Sequence, residues 1–398
     1  MSLGAPEQHA VTHRKPFALI CAVGFFAIFS STMSKNPVLP LFARHLGATP
    51  AYIGAIAAAS TIVGIGVSLP AGALSDLWGR RRVILVAGLV FASAPFLYLL
   101  VANPWQLAAV RVYHGLATAI FGPVALALIA DLFRDRRGET MGWYSSTTLA
   151  GRALAPVIGG YLLYRLTYHA VYLGCGAAGV LALAVAYRLP APAPLAALRR
   201  SRPARDLAAG IASVIRNRGI LVTSLAEAVQ YFAFGAVETF LPLYALGVGL
   251  NAFQIGSIFG AQILATTLTK PLMGRASDRY GRRPLIVAGL VVGAGAVACI
   301  PFAGAYAALL PIGLGFGLAL AVVTASTAAL VSELAQARAY GSALGAMSTI
   351  MDIGHAGGPI IAGVLIARWG YGLAFHAVGA LMAVAALLVP ALVRRTTG

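Results

Sequence analysis

The feature that most constrains this chain is a succession of apolar runs, each long enough to cross a lipid bilayer. They fall at about 17–43, 52–74, 83–101, 105–131, 138–164, 168–187, 220–246, 252–273, 284–303, 305–332, 339–366 and 371–392. Inside a bilayer no water is available to a peptide group, so a spanning segment must satisfy its own backbone, and roughly 20 residues of α-helix cover the hydrocarbon core. The runs are continuously apolar rather than alternating, which excludes a β-barrel. An all-α polytopic membrane protein with about twelve transmembrane helices is therefore expected. Composition agrees, since 60% of the chain is hydrophobic and only 10% charged, against about 25% charged in soluble domains.

The few charges are unevenly signed, with 29 Lys and Arg against 11 Asp and Glu and a net charge of +18. Basic runs that bind nucleic acid need a solvated surface. Here they occupy short gaps between apolar runs, so the bilayer is the expected partner and nucleic acid is not. Their distribution fixes an orientation, because cytoplasmic loops collect Lys and Arg. With the N-terminus inside, the inner segments hold Arg14, Lys15, Arg80, Arg81, Arg82, Arg134, Arg136, Arg137, the gap from Arg188 to Arg218, Arg275, Arg279, Arg282, Arg283, Arg338, Arg394 and Arg395, whereas the outer gaps hold only Arg44, Arg165 and Arg368. A multi-pass protein of the inner (plasma) membrane with both termini cytoplasmic is the expectation. The first run, about 27 residues long, exceeds a secretory h-region and reads as a retained anchor. Cys21, Cys175 and Cys299 are scattered through apolar runs, so neither a disulfide framework nor a metal site is expected.

Setting residue n against n+202 superimposes one half of the chain on the other. Pro40-Leu41-Phe42 falls on Pro242-Leu243-Tyr244, Ile53-Gly54 on Ile255-Gly256, Asp76 on Asp278, Gly115-Leu116 on Gly317-Leu318, and Asp131-Leu132 on Glu333-Leu334. One residue of slippage then matches Gly138 to Gly341, Gly142 to Gly345, Gly151 to Gly354, Pro156 to Pro359 and Gly160 to Gly363. Six spans separate equivalent positions, so the halves share one topology, the parallel repeat of two bundles about an axis along the membrane normal. The expected organisation is a tail at 1–16, a six-helix bundle at 17–187, a Pro-, Ala- and Arg-rich linker at 188–219, a second six-helix bundle at 220–392 and a tail at 393–398.

The loop after the second span reads Gly72, Asp76, Gly79, Arg80, Arg81, and its repeat reads Gly274, Asp278, Gly281, Arg282, Arg283. Small residues allow close helix approach, an Asp at a helix end meets exposed amides or arginines, and arginines grip the interface. With twelve spans and two copies of G-x-x-x-D-x-x-G-R-R, the chain resembles the major facilitator superfamily of transporters. The resemblance implies two pseudo-symmetric six-helix bundles around a midplane cavity, and a cytoplasmic gate in which this cluster latches the halves when the cavity is open to the outside. Arg111-Val112-Tyr113-His114-Gly115 is similar to a signature of proton-linked members, and the stretch from Gly151 through Pro156 to Gly159 and Gly160 resembles the helix-packing motif of twelve-span drug/proton antiporters, with Ala155 and Arg152 as departures. Gly354, Gly358 and Pro359 repeat part of it.

Proton coupling needs a group that changes charge inside the membrane. Among the acids, Glu227, Glu238 and Asp352 lie well within the expected spans, all in the second half, while Lys35, Arg111 and Arg152 are intramembrane cations of the first. Opposed across a cavity, they would form ion pairs that exchange as substrate and proton arrive. Glu238 or Asp352 is the expected proton carrier, with Glu227 and Arg111 as further coupling candidates. Candidates to line the cavity are Lys35, Asn36, Tyr113, His114, Tyr144, Arg152, Gln230, Tyr231, Phe232, Phe234 and His355. Lys35-Asn36 stands where many drug antiporters of the family carry an acid, which weighs against a cationic substrate.

Neither a G-x-x-x-x-G-K-[ST] phosphate loop nor an H-E-x-x-H set occurs, which argues against an ATP-driven pump and an intramembrane enzyme. No cofactor beyond a proton gradient is expected. The expected function is proton-coupled efflux of a small organic molecule by a monomer. Proton-linked uptake or exchange of an organic anion or sugar-like solute is the alternative, and a membrane-embedded enzyme a distant one.

Overall fold

The computed structural model describes residues 5–190, 217–335 and 340–392. Its helices are α1 (Ala5–Lys35), α2 (Val38–His45), α3 (Pro50–Trp78), α4 (Arg80–Leu97), α5 (Pro104–Leu132), α6 (Arg137–Arg165), α7 (Tyr168–Ala186), α8 (Arg218–Gly247), α9 (Ala252–Tyr280), α10 (Arg282–Cys299), α11 (Tyr306–Leu334) and α12 (Tyr340–Leu392). Helix α12 doubles back at Gly370, whose φ of 79° is left-handed. α1 reaches back to Ala5, into the stretch expected as a polar tail, and Pro37 separates it from α2 so that the two together make the first crossing. Nine helices are long and apolar enough by themselves to cross a membrane among the described residues. The 29-residue helices α6 and α9, and the fold-back of α12, bring the structure into agreement with twelve crossings. Arg338, Arg394, Arg395 and most of the expected 188–219 linker lie outside the described residues.

Duplication is visible to the residue. α3, α4 and α5 run over 50–78, 80–97 and 104–132, and α9, α10 and α11 over 252–280, 282–299 and 306–334, the same boundaries moved by 202. Local chemistry explains the shared ends. Gly79 and Gly281 stand between consecutive helices at φ 92° and 94°, a conformation that favours glycine and lets a helix stop and restart within one residue. Side-chain caps, by contrast, belong to one copy each: Asn103 and Asn251 accept hydrogen bonds from the amides of Gln106 and Gln254, the second pair completing a capping box, while their counterparts Ala305 and Thr49 make no such bond.

The halves meet chiefly through α3 against α12 and α6 against α9. These seams are backbone to backbone, and they come in symmetry-related pairs. A side chain at Gly54 would strike the Pro359 carbonyl and one at Gly256 the Pro156 carbonyl; likewise Gly160 faces the carbonyl of Ala252 and Gly363 that of Pro50. All these contacts lie toward the end of the molecule that carries the α2–α3 and α8–α9 turns. At the other end, where the Arg80 and Arg282 loops lie, Gly72, Gly142, Gly274 and Gly345 on the same four helices face open space. The bundles thus touch at one end and splay apart at the arginine-rich end.

Candidate functional site

Glu238 lies on α8, buried in the half of the helix nearer Gly247, and its carboxylate is the point where both halves converge. Lys35 Nζ approaches Oε2 at 2.7 Å, Asn36 Nδ2 donates to Oε1 at 2.5 Å, and His355 Nε2 lies 3.2 Å from Oε2. Lys35 is the last residue of α1 and Asn36 lies in the break before Pro37. The break therefore presents two consecutive polar side chains at a depth where an unbroken helix would present one face. His355 comes from α12, which packs on α8 through glycines: Gly354 against Ala228, Gly358 against Phe232, and Gly235 against the His355 carbonyl. Phe234 and Tyr231 flank the imidazole, with ring centroids 5.5 and 6.0 Å away. With only 8% of its side chain exposed, the carboxylate interacts with its cation in a low-dielectric setting where the attraction far exceeds that in water.

A second polar group lies three turns along α8 toward the arginine-rich end, about 16 Å at the rise of an α-helix. Glu227 accepts a hydrogen bond from Thr327 Oγ1 at 2.7 Å, and Lys270 on α9 is within Coulombic reach of it. Tyr231 is in electrostatic range of Glu227, Arg152 and Asp352 together, which gathers α6, α8 and α12 around one ring. Asp352 is also in range of His355 and so links the two groups. Sequence reasoning missed Lys270 and Thr327. The available signal was the lysine of Thr269-Lys270-Pro271, a charge inside an otherwise apolar run.

Other expected cavity residues are held inside the bundles. Tyr113 pairs with Ser93 of α4 at 2.9 Å, Tyr144 is buried beside Gly24 of α1, and Gln230 is buried beside Gly293 of α10. Arg111 donates to Ser60 Oγ at 2.6 Å and to Tyr98 Oη at 3.4 Å, and His114 bonds Tyr98 as well. Burying an aromatic ring between helices satisfies more of its surface than lining a wet cavity, and composition alone could not tell those faces apart. Phe232 lies near Gly357 on α12.

The repeated arginine loops form twin clusters. Arg80 bridges Asp76 at 2.5 Å and Asp131 at 3.1 Å, while Arg282 bridges Asp278 and, at 2.9 Å, Glu333. Every one of these pairs stays within its own half, and Arg81 donates to the Tyr187 carbonyl of the same bundle. The packing motif is arranged as its residue sizes demand: Gly151 and Gly159 face Phe25 and Met33 of α1, and Pro156 and Gly160 face α9.

Two bundles of one topology, touching at one end, parted at the other, and joined by a buried ion pair, define a membrane transporter rather than an enzyme. The chain belongs to the major facilitator superfamily, whose model matches residues 20–261 and 223–398. It is 23% identical over 354 residues to an uncharacterized MFS-type transporter of Methanocaldococcus jannaschii, covering 88% of each chain. It is also 23% identical over 346 residues to the quinolone resistance protein NorA of Staphylococcus aureus, covering 85% of this chain and 87% of that one. Among solved structures, a mutant of the nucleoside transporter NupG superimposes with a TM-score of 0.83 at 15% identity, covering 96% of this chain and 100% of that one. A bacterial homolog of the human lysosomal transporter Spinster, in an inward-facing and unoccupied conformation, gives 0.77 at 14% identity, covering 98% and 96%. These structural likenesses carry the fold.

Proposed function

We propose that this secondary transporter exports a small amphipathic organic molecule across the plasma membrane in exchange for protons, with both termini cytoplasmic. The observation that carries the reading is the buried Glu238 carboxylate held between Lys35 and His355. A buried carboxylate changes charge by taking a proton, and in this reading the change is tied to whether the halves hold together. Ionised, Glu238 binds Lys35 of α1 and keeps the seam near Gly54 and Gly256 closed, with the cavity open toward the cytoplasm. Substrate entering from that side competes for Lys35 and His355 and loosens the clasp. The far side then opens, an external proton neutralises Glu238, and substrate leaves. Return to the present conformation releases the proton inward.

The similarity to NorA, a quinolone resistance protein, supports the direction and suggests the first probe. Everted vesicles carrying a proton gradient, challenged with a fluorescent quinolone, are expected to take up the probe and dissipate the gradient, and Glu238→Gln vesicles to do neither. Accumulation of solute by intact overexpressing cells, driven by an inward proton gradient, would instead establish proton-linked uptake and overturn the export reading.

A further inference from the structure

Three cations of the first half lie within its membrane spans, and two have an acid nearby. Lys35 is paired with Glu238, and Arg152 shares the surroundings of Tyr231 with Asp352. Arg111 differs. It is 3% exposed, two turns into α5 from Pro104, and among the described residues no carboxylate forms an ion pair with it. The acids of the first half, Glu7, Asp76, Asp131, Asp135 and Glu139, all precede or follow its spans or sit at their arginine-rich ends. A guanidinium cannot shed its proton, so its buried charge needs a balance that none of the ion pairs among the described residues supplies.

The hydrogen bonds around Arg111 say what kind of partner fits. Arginine only donates, so the Tyr98 hydroxyl accepts from Nη1 at 3.4 Å. The Tyr98 proton is then free to go to His114 Nδ1, 3.3 Å away, in the tautomer of a neutral His114 that carries the ring proton on Nε2. Arg111 Nε and His114 Nε2 are buried without a hydrogen-bond partner, and so is the hydroxyl of Tyr172, whose ring stacks on Tyr98 with centroids 4.4 Å apart. In that tautomer each of these three orphans can donate, and Arg111 Nε can do nothing else. Arg111 and His114 share one face of α5 at i and i+3, and Tyr172 is within Coulombic reach of Arg111. A cluster of buried donors around an uncompensated positive charge lacks an acceptor that is itself negative and small.

We propose that the first bundle holds a monovalent inorganic anion of the halide class, chloride under ordinary conditions, between Arg111, His114 and Tyr172. The anion neutralises the guanidinium inside one bundle, away from the Glu238 clasp, and so acts as a structural counter-ion and not as cargo. This site does not rest on the export reading.

The test uses the purified full-length protein, dialysed into gluconate and titrated with chloride at constant ionic strength while thermal unfolding is followed. A saturable rise of several degrees in the midpoint is expected, with bromide and nitrate acting similarly and sulfate not. Arg111→Gln should abolish the response, and Tyr172→Phe should raise the half-saturating chloride concentration by about tenfold. Should Arg111→Gln fail to fold, Tyr172→Phe decides alone. Equal midpoints in gluconate and chloride would overturn the proposal and leave water as the partner. So would a chloride response that is the same in wild type and Tyr172→Phe, which would put the anion elsewhere.

Discussion

Asn36 and Glu238 are each other's counterparts in the duplicated chain, 202 residues apart, and they are also hydrogen-bonded to each other at 2.5 Å. In a parallel repeat, only residues at the pseudo-twofold axis touch their own equivalents. The carboxylate thus lies at the pseudo-twofold axis that relates the halves, where an amide in one half and an acid at the equivalent position of the other make a donor and acceptor pair across it. The neighbouring Lys35 adds the charge that makes the contact dependent on protonation.

A buried pair of this kind is costly to break from one side. Lys35→Met leaves the Glu238 carboxylate with Asn36 and His355 alone, and thermal unfolding should show a loss of about 3–5 kcal/mol. Adding Glu238→Gln to that variant removes the stranded charge and should restore most of the loss. Non-additivity of that sign in a double-mutant cycle is the expected outcome, and simple addition of the two single effects would show that Lys35 and Glu238 do not interact.

The seams at the far end make a geometric prediction. Gly54 and Gly256 are equivalent, and each faces the carbonyl of an equivalent proline, Pro359 or Pro156. Leucine at either site holds the seam apart, so Gly54→Leu and Gly256→Leu should both shift the protein toward the state open at that end, and to similar extents. Alkylation of single cysteines placed along α3 and α9, compared from the two membrane faces, reads the shift. Leucine at Gly72, which faces open space here, should leave the present conformation intact and obstruct the opposite one. Unchanged labelling in the Gly54 and Gly256 variants would mean that those contacts are not a gate.

Asp76 tests the arginine loops. In this conformation its one ion-pair partner among the described residues is Arg80 and its side chain is 46% exposed, so Asp76→Asn should change thermal stability by less than about 1 kcal/mol. Transport should nevertheless fall severely, because the resemblance to the family places the latch in the other conformation, with the arginine-rich end closed. A variant that transports normally would reduce the cluster to a topology signal. Asp278→Asn, 65% exposed in the second copy, offers the matched control.

The architecture was legible because its causes are periodic or repeated. Apolar runs mark the spans, and the 202-residue offset marks the two bundles, down to shared ends such as Gly79 and Gly281. The site was legible only where charge is scarce: Lys35, Glu238 and Arg111 announce themselves in an apolar background. What a helix hides is the direction of each residue, and that direction depends on contacts between distant segments. Tyr113, Tyr144 and Gln230 therefore looked like cavity residues yet pack inside the bundles, while Thr327, an ordinary residue in the sequence, turned out to bond Glu227. Even the break at Pro37, readable as a helix stop, gave no hint that Asn36 would meet its own counterpart.

The two glutamates of α8 should separate under mutation, because their surroundings differ in kind. Glu238 meets Lys35 and Asn36 across the interface between halves and His355 within its own half, whereas Glu227 accepts from Thr327 within the second half. A neutral Gln at 227 still accepts that hydroxyl bond, so Glu227→Gln should keep gradient-driven transport and its dependence on external pH. Glu238→Gln should flatten that dependence while leaving substrate exchange in the absence of a gradient measurable. Thr327→Val deprives the Glu227 carboxylate of its donor and should lower stability by about 1–3 kcal/mol without altering the pH profile of transport. If Glu227→Gln flattened the profile and Glu238→Gln did not, the proton would be carried in the Thr327 and Lys270 group, one bundle away from the axis, and the clasp at Asn36 would be structural.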